Sequence, residues 1–310
     1  MVLSTVRIEA LDSNRNKFAV GTGYFYDFPS GELHLPVVIT NKHVIEGAKF
    51  LRFTVQVMPT GNEIRADGSA EGEYTEIIDL EGLDKLVVRH PSEEIDLCAV
   101  LLSEMLNMLI KRNLFIKHNI IDATWRLTPE EVRDVSPVEQ IIMVGYPNGL
   151  WDQTNNRPLT RQGLTASHVL TRWNGRSEFV IDCACFGGSS GSPIYLYKNG
   201  LIAGPSGGMV IGIRGILIGT LYAGPTFNAE GILETRPAPT NITNVPIVTQ
   251  MLNLGYVIHV SAVDDLQVLV HKRVYEIQQE RLINGATMQF ARSGIPVSSS
   301  VVPKQIPKRD

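Results

Sequence analysis

Three short segments hold the residue types that nucleophilic acyl transfer requires. They are Ile39-Thr-Asn-Lys-His43-Val, Glu94-Ile-Asp96-Leu-Cys-Ala-Val and Phe186-Gly-Gly-Ser-Ser190-Gly-Ser-Pro193. Peptide hydrolysis by this route needs a nucleophile, a base that takes its proton and a group that orients the base. It also needs donors for the oxyanion of the tetrahedral intermediate. Ser190, His43 and Asp96 could supply the first three, and the backbone N–H groups of the glycine-rich turn the fourth. Taken singly, each segment has a plainer use: a packed histidine, a turn aspartate, a flexible Gly-Ser loop. Their joint occurrence in the order His, Asp, Ser, each where a strand gives way to a turn, selects the chemistry.

The elements that must position these residues read as strands. In the first hundred residues, β-branched and aromatic runs between Gly, Pro, Asn and Asp clusters predict strands over Val2–Glu9, Phe18–Tyr26, Leu35–Thr40, Phe50–Val57, Leu86–Arg89 and Leu97–Leu102. Pro59 to Tyr74 is polar and glycine-rich and reads as an exposed loop. From Ser103 the apolar spacing turns helical, and Thr128-Pro-Glu-Glu131 is a capped helix start. Strands resume at Gln140–Gly145, Gly163–Arg172, Glu178–Cys183, Pro193–Tyr197, Met209–Ile213 and Ile216–Tyr222. Ser261-Ala-Val-Asp264 resembles a capping box, and Leu266, Val270, Val274 and Ile277 then share one helix face. The expected organisation is a β-rich half over 1–102, a partly helical bridge over 103–138, a second β-rich half over 139–260, a helix over 261–290 and a disordered tail over 291–310.

Composition narrows the possible partners. The 310 residues carry 28 Lys+Arg against 32 Asp+Glu, a net charge of −4, with no basic surplus to suggest nucleic acid. With 27 glycines and 17 prolines among few charges, many short strands and tight turns are expected, hence an all-β fold. Cys98, Cys183 and Cys185 are odd in number and suit buried free thiols in a reducing compartment. The start of the chain lacks the pattern of a secretion signal, and Met209–Gly224 is too short and too interrupted to span a bilayer. The expectation is a soluble, cytoplasmic protein with no membrane partner. The remaining histidines show no ligand spacing, so no metal or cofactor is expected. Trp125, Trp151 and Trp173 read as packing residues.

The three segments resemble those of chymotrypsin-fold serine peptidases, nearest in texture to the HtrA/Deg type. Thr40-Asn-Lys-His43-Val is similar to T-x-x-H-V, Asp96 leads an apolar strand, and Gly188-Ser-Ser190-Gly-Ser-Pro193 is similar to G-x-S-G-[GS]-P. Gly145-Tyr-Pro147, Gly163-Leu-Thr-Ala-Ser and Asp182 support the match. The resemblance covers roughly Val2 to Gln279. It implies two antiparallel six-stranded β-barrels with the active site in the cleft between them. It also implies His43 as base, Asp96 as orienting group, Ser190 as nucleophile and the N–H groups of Gly188 and Ser190 as oxyanion hole. The substrate would be a protein or peptide, with Tyr222, Ala223 and Gly224 as the strand edge that pairs with its backbone. Ala184 falls where trypsin-like enzymes carry their selecting aspartate, which implies a pocket for small or medium apolar residues. Ser189 replaces the acid that pairs with a newly cleaved N-terminus, so activation by that cleavage is not expected. No PDZ-like domain is expected from the segment after the catalytic region.

Two other readings stay open at this stage. Gly187-Gly-Ser189-Ser-Gly191 fits the G-x-S-x-G elbow of α/β-hydrolases, with Asp264 and His271 as late partners in a serine esterase. That elbow must lead into a helix, whereas Ser192-Pro-Ile-Tyr-Leu-Tyr reads as a strand. The other is a protease fold kept as a catalytically silent peptide-binding module.

Overall fold

The computed structural model describes residues 1–30, 33–63, 65, 69–203, 209–229 and 248–283. The expected tail over 291–310 lies outside the described residues, as does the end of the 261–290 helix beyond 283.

In the first half the strands are β1 (Thr5–Leu11), β2 (Lys17–Ser30), β3 (Leu33–Thr40), β4 (Phe50–Pro59), β5 (Tyr74–Leu80), β6 (Val87–Arg89), β7 (Cys98–Leu101) and β8 (Leu114–Ile116). They form one eight-stranded sheet in the order β5-β4-β1-β2-β3-β7-β6, with β8 paired to β4. Among the described residues this half has eight paired strands, where the resemblance implied six. Two of its strands escaped the sequence reading. β5 carries Glu76 and Asp79 on an edge, and Asp79 faces Arg52 of β4 and binds its guanidinium at 2.7 and 2.9 Å. Such cross-strand charge pairs stabilise strands whose composition reads as loop. At the start of the chain, Val2–Ser4 is a 3-10 turn, so the first strand begins at Thr5.

The second half closes fully. Strands β9 (Gln140–Gly145), β10 (Leu159–Thr165), β11 (Glu178–Asp182), β12 (Pro193–Ala203), β13 (Met209–Ala223) and β16 (Leu254–His259) form a barrel in the order β10-β11-β16-β13-β12-β9. A separate pair, β14 (Thr226–Ala229) and β15 (Val248–Met251), lies between β13 and β16 in the chain. Met209–Ile213 and Ile216–Tyr222, expected as two strands, are one long strand paired to β12 along its length. The strand expected over Gly163–Arg172 instead ends at Thr165, and its pairing begins upstream at Leu159. Ile141, Met143, Phe179, Ile181, Leu196 and Ile216 are among the buried residues that fill the barrel.

Helices are few: α1 (Lys42–Ile45), α2 (Leu83–Leu86), α3 (Ser103–Ile110), α4 (Pro129–Arg133) and α5 (Ser261–Ile283). The capping box at Thr128 forms, with Thr128 Oγ1 accepting from Glu131 N–H at 3.3 Å and Glu131 Oε2 from Thr128 N–H at 2.9 Å. Along α5, Leu266 and Val270 are fully buried, with Val274 and Ile277 packed behind them. All four join the core of the first half. The helix therefore folds back across the molecule, and Arg126 Nη1 ties its first turn at Asp264 (2.5 Å). No helix among the described residues is long and apolar enough to cross a membrane. The three cysteines are buried free thiols, and burial pushes Cys98 and Cys185 up to about 12.

Candidate active site

Register in the first sheet brings His43 and Asp96 together. β3 and β7 are antiparallel neighbours with Thr40 opposite Cys98. The chain leaving β3 and the chain entering β7 therefore share one end of the sheet, and α1 starts there with Lys42 and His43. Asp96 Oδ2 accepts from His43 Nδ1, and Oδ1 accepts from the His43 backbone N–H at 3.1 Å. The buried Asn41 donates Nδ2 to the Asp96 carbonyl at 2.7 Å, and Lys42 Nζ reaches Ser92 O at 2.7 Å. Burial pushes the Asp96 carboxyl up. The hydrogen bond and charge of the His43 ring, with the backbone N–H groups of His43 and Lys42, outweigh that and hold it below the usual carboxylate range. With Nδ1–H committed to a carboxylate, Nε2 is left as the free acceptor on an exposed ring.

Ser190 sits in the turn between β11 and β12, and Thr22 of β2 fastens that turn to the first sheet. Thr22 N–H donates to Ser190 O at 2.8 Å, and Thr22 Oγ1 donates to Gly188 O at 2.9 Å. Thr22 O in turn accepts from Thr40 Oγ1 at 2.7 Å, three residues before His43. A single threonine thus couples the histidine segment to the serine turn. From the other side, Gly191 N–H donates to Leu221 O at 2.8 Å. Ser190 Oγ donates to Tyr222 O at 3.4 Å rather than to His43.

The turn leaves two donors open. Gly187 O accepts from Asn148 N–H at 2.5 Å, and no peptide bond is cis. Across a trans peptide the next N–H points the opposite way, so Gly188 N–H faces away from Asn148. Among the described residues neither Gly188 N–H nor Ser190 N–H has an acceptor. Gly188 has φ +83, and a Cβ there would lie 2.6 Å from Tyr146 O. Gly191 has φ +86, and its Cβ would lie 1.9 Å from Thr22 O. Both positions require glycine on conformation and on space.

That double requirement can be separated experimentally. Gly191→Ala is expected to destabilise the protein by about 3 kcal/mol or more, because backbone strain and a collision with backbone add. Gly82→Ala has a positive φ of 68 but nothing within 4 Å of its Cβ, so it should cost only about 1 kcal/mol. Equal urea midpoints for the two variants would show that the close approach to Thr22 carries no weight.

The other site residues expected from sequence lie near this centre with varied roles. Ala184 O accepts from Arg161 Nη1 at 2.5 Å, and the Arg161 guanidinium lies 4.7 Å from the Phe186 ring centroid. Tyr222 OH donates to Glu178 at 2.5 Å, and burial, with that carboxylate, pushes the phenol up. Tyr222 and Ala223 end β13, where the register with β16 shifts between Leu221 and Ala223, and Gly224 follows. Ser189 is 1% exposed, and its Oγ accepts from Phe186 N–H at 3.5 Å. Pro193 opens a strand, and Asp264 and His271 lie on α5. The α/β-hydrolase elbow therefore lacks both its helix and an exposed nucleophile. Thr22 and Asn148 were not found from sequence. The only sign of Thr22 was its position between Gly21 and Gly23, whose Cβ atoms would lie 2.4 Å from Val44 and Val38.

No family model and no curated protein matches the sequence. Solved structures do. A serine endoprotease from Yersinia pestis matches at 12% identity over 87% of this chain, with a TM-score of 0.42, and this chain spans 63% of that one. The active form of the Rv3671c protease from M. tuberculosis matches at 15% identity over 85% of this chain and 79% of that chain, with a TM-score of 0.39. The closed barrel, the second antiparallel sheet and the terminal helix carry the chymotrypsin-like architecture that the motifs implied.

Proposed function

We propose that the protein is a serine endopeptidase acting through Ser190, His43 and Asp96. The observation that carries this reading is the fastening of the Ser190 turn, with two unengaged N–H donors, to the segment that holds a carboxylate-bound histidine. In the proposed reaction Ser190 Oγ forms a bond to the scissile carbonyl carbon and its proton passes to His43 Nε2. The carbonyl π pair moves onto oxygen, where Gly188 and Ser190 N–H groups hold the negative charge. Asp96 keeps the proton on Nδ1 and stabilises the imidazolium. On collapse the C–N bond breaks and the leaving amine takes the proton from Nε2. Water then repeats the sequence on the acyl-enzyme, with His43 first base and then acid. The Tyr222–Gly224 edge would pair with substrate backbone on the acyl side.

A second reading, a peptide-binding module without catalysis, draws on one observation: Ser190 Oγ bonds to Tyr222 O instead of His43. Sites without substrate often hold long or poorly aligned catalytic hydrogen bonds, so this bond is compatible with either reading. A fluorophosphonate probe distinguishes them. Covalent labelling of native protein, mapped to Ser190 by peptide mass, is the expected result. Absence of labelling between pH 6 and 9 in folded protein would establish the silent module.

A further inference from the structure

A cavity of about 540 Å³ adjoins the nucleophile turn and has no part in the steps above. Arg7, Glu9, Lys17, Trp151, Gly187 and Gly188 are among its walls. Strand register explains its place. Arg7 on β1 stands opposite Thr22 on β2, and directly opposed residues of an antiparallel pair project to one face. Thr22 Oγ1 reaches Gly188 O on that face, so Arg7 lies where the Gly187–Gly188 backbone arrives. Glu9, two residues along the strand, shares the face. Ala184, Tyr222, Ala223 and Gly224 are not among the walls. The cavity walls are therefore distinct from the strand edge proposed for the acyl part of the substrate.

Its charge is unbalanced. Arg7 Nη1 lies 2.7 Å and Lys17 Nζ 3.3 Å from the same oxygen of Glu9, so two cations share one carboxylate. The Arg7 side chain is 5% exposed, with its guanidinium 4.2 Å from the Trp151 ring centroid. Its Nε is buried and has no hydrogen-bond partner. A buried donor left unpaired is costly, and the guanidinium fork is shaped to take a carboxylate through two parallel bonds. The aromatic ring holds the guanidinium plane in place, so little ordering is needed when an acid arrives.

We propose that this cavity receives the carboxylate of an Asp or Glu side chain at the first or second substrate position after the scissile bond. Arg7 reads the acid and Lys17 supports it. The inference rests on the peptidase reading and names the substrate class for it: peptides acidic on the leaving-group side. Glu9 is then the internal competitor for Arg7, which a substrate acid displaces in part.

The test compares two internally quenched peptides that differ only by Glu against Gln at those two positions. Native protein is expected to cleave the Glu peptide with about tenfold or higher kcat/KM, the advantage of a charge-assisted hydrogen bond over a neutral one. Arg7→Lys should remove most of that ratio, because an ammonium cannot make the paired contact. Lys17→Ala, on a half-exposed side chain and therefore tolerated by the fold, should lower it two- to fivefold. Glu9→Gln should raise it. Equal cleavage of the two peptides by native protein, or a ratio unmoved by both Lys17→Ala and Glu9→Gln, overturns the proposal. Anisotropy of the same peptides, labelled, on Ser190→Ala protein reads the cavity without chemistry, while probe labelling reads the chemistry without the cavity. Tighter binding of the Glu peptide without native labelling would sustain the cavity and refute the peptidase. Labelling without any Glu preference would do the reverse.

Discussion

Hydrolysis of a peptide substrate by the Ser190→Ala variant is expected to fall by about 10⁶-fold in kcat, with KM little changed. The reason lies in how the site is assembled. Removing Oγ deletes the proposed nucleophile but leaves the turn intact, because Ser190 is held through its backbone carbonyl, by Thr22 N–H at 2.8 Å. The one side-chain bond lost is the 3.4 Å contact to Tyr222 O, which is long and contributes little. Substrate recognition through the N–H groups and the strand edge therefore survives, and only the covalent route disappears. Residual turnover should remain about 10³–10⁴-fold above the uncatalysed rate, from the oxyanion donors and positioning. His43→Ala added to Ser190→Ala should cost almost nothing more, since a base without a nucleophile has no proton to take. Steady-state kinetics on the single and double variants decide the point. A Ser190→Ala enzyme that keeps a tenth of native activity would remove Ser190 from the mechanism, and an additive double variant would show that His43 acts elsewhere.

The parts of the site that were legible in the sequence and the parts that were not differ in a physical way. His43, Asp96 and Ser190 each stand at the end of an apolar strand beside residues with turn chemistry, so type and local pattern coincide. The glycines at 188 and 191 are legible for the same reason, since only glycine tolerates those φ values beside backbone. Thr22 has no such mark. It sits in the middle of a strand of alternating small and large residues, and its importance arises from three partners more than a dozen residues away in sequence, Thr40, Gly188 and Ser190. Asn148 is hidden likewise, because it acts through its backbone N–H, which every residue but proline has. The all-β class followed from turn residues and strand runs. The missed strands were β5, whose charged face looks like loop, the three-residue β8, and β14, β15 and β16. Of these β16 closes the barrel by pairing on both edges, a long-range property that no local window contains. The eight-strand pairing of the first sheet is long-range too.

Asp96→Asn is expected to lower kcat by about 10⁴-fold at pH 7 while the fold persists, and the loss should come from the wrong tautomer of His43. Asp96 is acceptor-only: Oδ2 takes Nδ1–H and Oδ1 takes the His43 backbone N–H. An asparagine must still accept from that backbone N–H, which fixes its carbonyl oxygen there and turns its NH₂ toward Nδ1. Nδ1 then becomes the acceptor, the ring proton moves to Nε2, and the nitrogen proposed to take the Ser190 proton can no longer do so. The same geometry makes a stability prediction with a definite sign. The Asp96 pKa is lowered in the folded protein, so its ionisation favours folding. That contribution is complete above the unfolded-state carboxylate value of ~3.9 and is lost as pH falls through the lower folded value. Asparagine does not titrate, so the native protein's advantage over Asp96→Asn in urea should be constant from pH 7 down to about 5 and shrink below about 4. Activity and stability then separate cleanly: the kcat deficit is largest at neutral pH, where the histidine must be a neutral base, and the stability deficit narrows only in acid. An Asp96→Asn enzyme within tenfold of native turnover would break the proposed link from carboxylate to tautomer to nucleophile, because among the described residues no other carboxylate is hydrogen-bonded to His43.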